Sequence, residues 1–379
     1  MFITQDQLNV LLAAEFHPGA PLKLPNGARF SVVLKDGAGR SRTRDGAPLT
    51  ADSTGAFLVG ELERLDQTLH MPLVNFTYGR DLKQRADVTP ADEVSSFTVS
   101  SFGSTGGLGT GNGIGTGKSW VSKEATQITN ASVDIGKVSQ PMTVWAHEVK
   151  WTIPELMSAA MLGRPIDEQK IAALKMKRDM DLDEQAYFGD SGLNVFGLLK
   201  LDNRTDFAAV SNVGSVATGA SGSTAWSKKQ PDEILADVNA LLVSVWEASG
   251  FAVMPDTLLI PPVQFGYLSS TKISQAGSMS VLRFLLENNI ALTQAGVKLD
   301  IYPTKWALGA GAGGTIGTSG TVDRMCAYTN DDMRVRFPFC ALQTTPLQYD
   351  GLYHKQTFWT RIGVVEPVYP ETIGYADGI

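Results

Sequence analysis

Between Gly103 and Gly117 the chain is almost entirely glycine, serine and threonine. Such a stretch cannot bury enough apolar surface to fold alone. It is flanked by segments that can pair. Val94 to Phe102 alternates like a strand, and Val121 to Ile135 reads as the returning strand. The expectation is a long two-stranded excursion over 79–135 with a flexible tip, either a mobile loop or a segment ordered by a neighbour.

The glycines do not make a phosphate site. Gly117, Lys118 and Ser119 mimic the end of G-x-x-x-x-G-K-[ST], but Asn112 stands where the first glycine belongs. The dinucleotide pattern G-x-G-x-x-G fails in phase. No cofactor is expected.

A second segment of unusual character precedes it. Lys23, Arg29, Lys35, Arg40, Arg42 and Arg44 face only Asp36 between Lys23 and Arg44. This reads as a basic extended arm, either an ordinary solvated tail or a segment that lies over an acidic neighbour or faces a packaged polyanion. The chain as a whole is acidic, with 32 Lys+Arg against 39 Asp+Glu and a net charge of -7. That balance argues against wrapping nucleic acid by phosphate neutralisation, though not against enclosing it.

The rest is patterned as an ordinary globular core, with 43% hydrophobic and 19% charged residues. Short helices are expected over Asp6 to Glu15 and Thr54 to Leu69, and a strand over Met71 to Tyr78. Met142 to Ile153 reads as a long strand. Pro154 then opens a helix capped by Thr152. Asp167 reads as a second cap, before a strong helix over Glu168 to Phe188 with Ile171, Leu174, Met180, Leu182, Ala186 and Tyr187 buried. Gly197 to Leu199 begins a docked loop, and Val210 to Ser227 is a loop. Pro231 to Ala248 is a helix stopped by Gly250, with Ile234, Val238, Leu241, Leu242 and Val245 inward. Thr257 to Ile260 is a strand. Helices follow near Val263 to Leu268 and Ser278 to Asn288. Val297 to Tyr302, Val322 to Tyr328 and Met333 to Phe337 read as strands of one small mixed sheet. Gln356 to Val368 reads as a closing strand that returns to the first core.

Residues arranged for chemistry are missing. The four histidines (His17, His70, His147, His354) have no metal-ligand spacing, and the two cysteines (Cys326, Cys340) form neither a disulfide framework nor a metal motif. No metal and no enzymatic activity are expected. Asp181 and Glu184, three apart near a helix end, are the best hydrolase candidates. The other reading of them is solvated helix acids. No run of about 18 apolar residues spans a membrane, and no secretory signal is visible.

Several segments carry a resemblance. WTIPELMSAAMLGRPIDEQKIAALKMKRDMDLDEQAYFG (Trp151 to Gly189), GLLK (Gly197 to Lys200), PDEILADVNALL (Pro231 to Leu242), PDTLLIPP (Pro255 to Pro262) and EPVYPETIGYADGI (Glu366 to Ile379) resemble, in order, the tailed-phage major capsid proteins with the HK97-like fold. The resemblance spans roughly Thr54 to Ile379. It implies an α+β fold with an N-terminal arm (1–53), an extended β-hairpin loop (79–135), a peripheral domain with a long spine helix (54–78, 136–199 and 344–379) and an axial domain (200–343). It implies self-assembly into hexamers and pentamers of an icosahedral shell around double-stranded DNA. The partners implied are many copies of the same chain, with portal, scaffold or decoration proteins, and the location is a virion capsid assembled in the host cytoplasm. A nanocompartment of the same fold, enclosing a protein cargo, is the nearer alternative. Arg40, Arg42, Arg44, Gly107, Gly113 and Lys118 are the candidate inter-subunit contacts. Some family members crosslink a lysine to an asparagine. Lys118 or Lys123 with Asn288 or Asn289 would be the pair here, but nothing local supports an isopeptide site.

Overall fold

The computed structural model describes residues 72–104, 123, 131–162, 166–205, 209–273, 279–314 and 322–379, with the backbone of four short strands before them. The chain divides into Met1–Leu73 and Val74–Ile379. In the first unit Leu22–Lys23 pairs antiparallel with Arg29–Phe30, and Leu34–Lys35 with Ser41–Arg42. The helices expected over Asp6 to Glu15 and Thr54 to Leu69 lie outside the described residues.

The second unit opens with a correction. Of the strand expected over Met71 to Tyr78, the described residues form none: 72–77 are irregular and Tyr78–Asp81 is a short helix. The amides of Thr77 and Tyr78 donate to Asp183 Oδ1 at 2.9 and 3.1 Å. A side-chain carboxylate thus takes the hydrogen bonds that a neighbouring strand would have taken.

The excursion is present as an antiparallel hairpin. Val94–Ser104 pairs with Ala131–Pro141, from Val94 opposite Pro141 to Ser104 opposite Ala131. The described return strand therefore reaches six residues beyond the expected end at Ile135. Ser132, Gly136 and Ser139 give it little apolar alternation. Its register is set at the root, where the Met142 amide donates to Glu93 O at 3.0 Å.

The chain continues into Thr143–Thr152, which pairs over its whole length with Tyr353–Ile362. The closing strand thus returns to the first core as expected. Val149 and Trp151 turn inward with Leu174 and Phe358, while Val144, Ala146, Glu148 and Lys150 are exposed. Thr152 Oγ1 accepts from the Glu155 amide at 3.2 Å and so caps the helix Ile153–Leu162. The long helix is Ile166–Tyr187. Asp167 lies inside its first turn and is not the cap. Leu174, Leu182, Ala186 and Tyr187 are buried, but Met180 is 41% exposed because it falls on the outer face.

After the helix the backbone doubles back so closely that a Cβ on Gly197 would lie 2.3 Å from Phe188 N. Only glycine fits there. The turn Leu198–Asn203 then docks with Leu198, Leu199 and Leu201 fully buried.

The second core is a five-stranded mixed sheet in the order Val213–Ser215, Gly374–Asp377, Arg324–Tyr328, Thr257–Ile260, Asp300–Pro303. The helix Pro231–Ala248 buries Ile234, Val238, Leu241, Leu242 and Val245 in the same cluster as Leu258, Ile260, Met325 and Ala327. Glu233 accepts from the Gln230 amide at 2.9 Å at its start, and Gly250 takes φ 65° after its end. The helices Pro262–Ser270 and Val281–Asn288 complete the cluster.

Three expectations fail here. Val213–Ser215, inside the expected loop, is an edge strand. Val335–Pro338 is not in this sheet; it pairs with Lys83–Arg85 and Glu366–Pro367. The last strand, Gly374–Asp377, expected with the peripheral residues 344–379, sits between two strands of the 200–343 segment. The fully buried Arg324 explains that placement. It donates to Asp377 at 2.7 and 2.9 Å, to Asp202 at 2.9 and 2.9 Å, and to Leu199 O at 2.7 Å. Burial opposes its charge, but the two carboxylates outweigh burial and hold it protonated above the usual arginine range.

Candidate assembly surface

Of the two acids nominated for hydrolysis, Asp181 accepts from Trp145 Nε1 at 2.8 Å and from Lys177 Nζ at 2.5 Å, and Glu184 is exposed. The buried acid of that turn is Asp183, which also takes Trp306 Nε1 at 2.7 Å and Lys305 Nζ at 3.3 Å. It joins the long helix to the chain at Thr77 and at Trp306. A second buried acid, Asp237, holds Trp226 Nε1 at 3.0 Å and Lys229 Nζ at 2.5 Å. Burial raises its pKa against the pull of Lys229.

Cys326 and Cys340 are free and buried, and burial pushes both thiols up. Among the described residues no group of three or more His, Cys, Asp or Glu is placed to hold a metal ion, and no helix is long and apolar enough to cross a membrane. Asn289 is fully buried and spends its amide on Leu285 O at 2.9 Å and on the Leu292 amide at 2.8 Å. Asn288 donates to Phe284 O at 3.3 Å, and Lys123 is exposed.

What stands open is the hairpin. Its two strands pair with each other and with no further strand among the described residues. Only the root is covered, by Ser95, Phe97 and Gln140. Farther out Thr98 and Ser100, and Val133 through Lys137, are exposed, with Val133 at 56% and Ile135 at 69%. A lone two-stranded ribbon is marginally stable in water. Val133 and Ile135 share one exposed face of this ribbon.

The root is held by charge. Glu366, fully buried, accepts from Ser95 Oγ, from Arg336 Nε at 2.8 Å and from Arg85 Nη1 at 3.3 Å. The same Arg85 nitrogen reaches Ser95 Oγ at 2.8 Å and Ser96 O at 3.1 Å, while Asp87 holds Nε at 2.6 Å. Arg85 is thereby held above its usual pKa, chiefly by its hydrogen bond to Asp87. Glu366→Gln is expected to destabilise the fold by about 1–3 kcal/mol and to speed proteolysis within the hairpin. Thermal melting with limited proteolysis checks this, and a variant unchanged in both would contradict it.

This root escaped sequence reasoning because Arg85, Ser95, Arg336 and Glu366 share no motif. Of the nominated contacts, Arg40, Arg44, Gly107, Gly113 and Lys118 lie outside the described residues. Arg42 is placed only by its backbone, in the Ser41–Arg42 strand.

A family model described as "Major capsid protein" matches residues 117–379. No curated protein matches by sequence. Among solved structures, the capsid of Myoviridae phage XM1 is similar at 14% identity and a TM-score of 0.65, covering 86% of this chain and 100% of that one. The capsid of a native GTA particle is similar at 14% identity and 0.55, covering 86% and 99%. A chain from Microbacterium phage Oxtober96 is similar at 11% identity and 0.52, covering 84% and 96%. At these identities the likeness shows fold alone: an α+β fold of the HK97-like kind.

Proposed function

From the premise that this chain belongs to the major capsid protein family, we propose that it builds a closed icosahedral shell of hexamers and pentamers around double-stranded DNA. The observation that carries this is the family match over 117–379 together with a hairpin whose two strands pair with no further strand among the described residues. A role in structure rather than catalysis is consistent with Asp181 and Asp183 being engaged in holding elements together.

In this reading residues 1–53 are the arm and 79–135 the extended loop. Residues 54–78, 136–199 and 344–373 make the peripheral domain around the helix Ile166–Tyr187. Residues 200–343, with the strand Gly374–Asp377, make the axial domain. Each subunit contact can be weak, because the second contact of a ring forms at high effective concentration. Portal, scaffold and decoration proteins are the further partners, and the working location is the virion, after assembly in the host cytoplasm. The net charge of -7 suits a wall that encloses DNA without gripping it.

Particles purified from the natural source test the reading by their contents. Double-stranded DNA inside supports it, and a protein cargo without nucleic acid overturns the virion assignment in favour of a nanocompartment. The arm has its own test. Reversing Arg40, Arg42 and Arg44 to glutamate should cut particle yield at least about tenfold, since several screened contacts are lost in every subunit. Normal yield would remove the arm from the assembly mechanism.

A further inference from the structure

Among the described residues four lysines are withdrawn from full exposure: Lys170, Lys200, Lys229 and Lys355. Three of them pair with a carboxylate. Lys170 lies 2.7 Å from Glu155, Lys229 lies 2.5 Å from Asp237, and Lys355 pairs with Asp350. Lys200 forms no such pair. Its Nζ donates to a neutral acceptor, Ala310 O, at 2.6 Å. The ring of Phe188 stands 5.7 Å away.

The acids near Lys200 are already committed. Asp202, in the same Leu198–Asn203 turn, and Asp377, in the last strand, take four hydrogen bonds from Arg324. The loop on the other side, Leu308 to Gly314, carries no ionisable side chain. An ammonium half out of water, beside a fixed guanidinium and with one carbonyl as acceptor, is poorly supported. Burial first, and then the charge of Arg324, lower the Lys200 pKa from the ordinary lysine value against the pull of Asp202 and Asp377. A lysine desolvated and placed next to another cation is an activated nucleophile.

We propose that Lys200 is an acyl-accepting site, taking a small acyl group from an activated donor of the acyl phosphate class. The free amine of Nζ attacks the acyl carbon. A nitrogen–carbon bond forms, the donor's carbon–oxygen bond breaks, inorganic phosphate leaves with the electron pair, and one amine proton passes to water. The product suits its surroundings. An amide nitrogen keeps one N–H, enough for the bond to Ala310 O, and the charge beside Arg324 is gone. From Gly309 to Gly314 the neighbouring loop is glycine and alanine alone, so no side chain longer than a methyl projects from it. The site belongs to the single subunit and stands apart from the shell reading.

Acetyl phosphate added to the dilute full chain near neutral pH, followed by site-resolved mass spectrometry, tests the assignment. Lys200 should be acetylated several-fold faster than the exposed Lys83, Lys175 and Lys272. Its rate should also reach half-maximum at a lower pH than theirs. Lys200→Arg should remove this label and leave the other rates unchanged. In urea the lead should vanish, because it is a property of the fold. Labelling at Lys200 no faster than at the exposed lysines overturns the proposal, and so does a lead that survives in urea. A lead without the lower pH midpoint reflects access rather than activation and overturns it as well.

Discussion

Replacing Thr98–Lys137 by an Asn-Gly turn is expected to abolish particle formation while leaving a folded subunit. The flanking residues, Phe97 and Val138, are opposite each other in the ladder, and the root amide of Met142 places them at a hydrogen-bonded pair. A two-residue turn closes on such a pair. The buried root of Ser95, Phe97 and Gln140 is kept, as is the Glu366 cluster. The removed side chains that are described are exposed or half-buried. Subunit stability should therefore change by only about 0.5 kcal/mol. Particle yield should fall by about 100-fold or more, because every subunit loses a contact that acts at high effective concentration. Size-exclusion chromatography with thermal melting separates the two effects. Particles of normal yield from the shortened chain would show that the hairpin is dispensable.

The second large effect concerns the subunit itself. Arg324→Met is expected to cost roughly 3–5 kcal/mol, the usual consequence of leaving buried charges uncompensated. The guanidinium has no exposure and bridges the side chains of Asp202 and Asp377 with four hydrogen bonds. It thereby ties the Leu198–Asn203 turn to the terminal strand Gly374–Asp377 across the Arg324–Tyr328 strand. Arg324→Lys should recover little, because an ammonium cannot make both planar forks. Lys305→Ala is the contrast. That lysine is half exposed beside Asp183, which keeps Thr77, Tyr78 and Trp306 as donors, so its loss should cost about 0–1 kcal/mol. Urea unfolding of the three variants checks the ranking. An Arg324→Met protein as stable as the parent would mean that the triad is not a fastening.

These cases show where reading the sequence succeeds and where it stops. Pro231–Ala248 and Thr257–Ile260 are legible to the residue, because apolar period, proline and glycine signals agree there. The long helix is legible within two residues at its start and one at its end. The hairpin is legible as a kind of element, but the end of its return strand is not, since Gly136 and Ser139 carry no pattern. Strand partners are the larger loss. Val335–Pro338 looks like its neighbours in sequence and yet joins Lys83–Arg85, a choice made by tertiary packing. Side-chain junctions are lost for the same reason. Asp181 and Glu184 look prominent in sequence, whereas Asp183 between them is the buried one. Nothing local pairs Arg324 with residues 202 and 377. The basic arm and the glycine-rich tip, the features that first suggest a shell, lie largely outside the described residues.

The most direct measurement is the mass distribution of the purified chain as its concentration rises. A subunit completed by its neighbours should pass cooperatively from small species to closed particles of one discrete mass, with the hairpin amides slowing in step. A chain that remains monomeric throughout, its hairpin amides already slow when dilute, would contradict the shell.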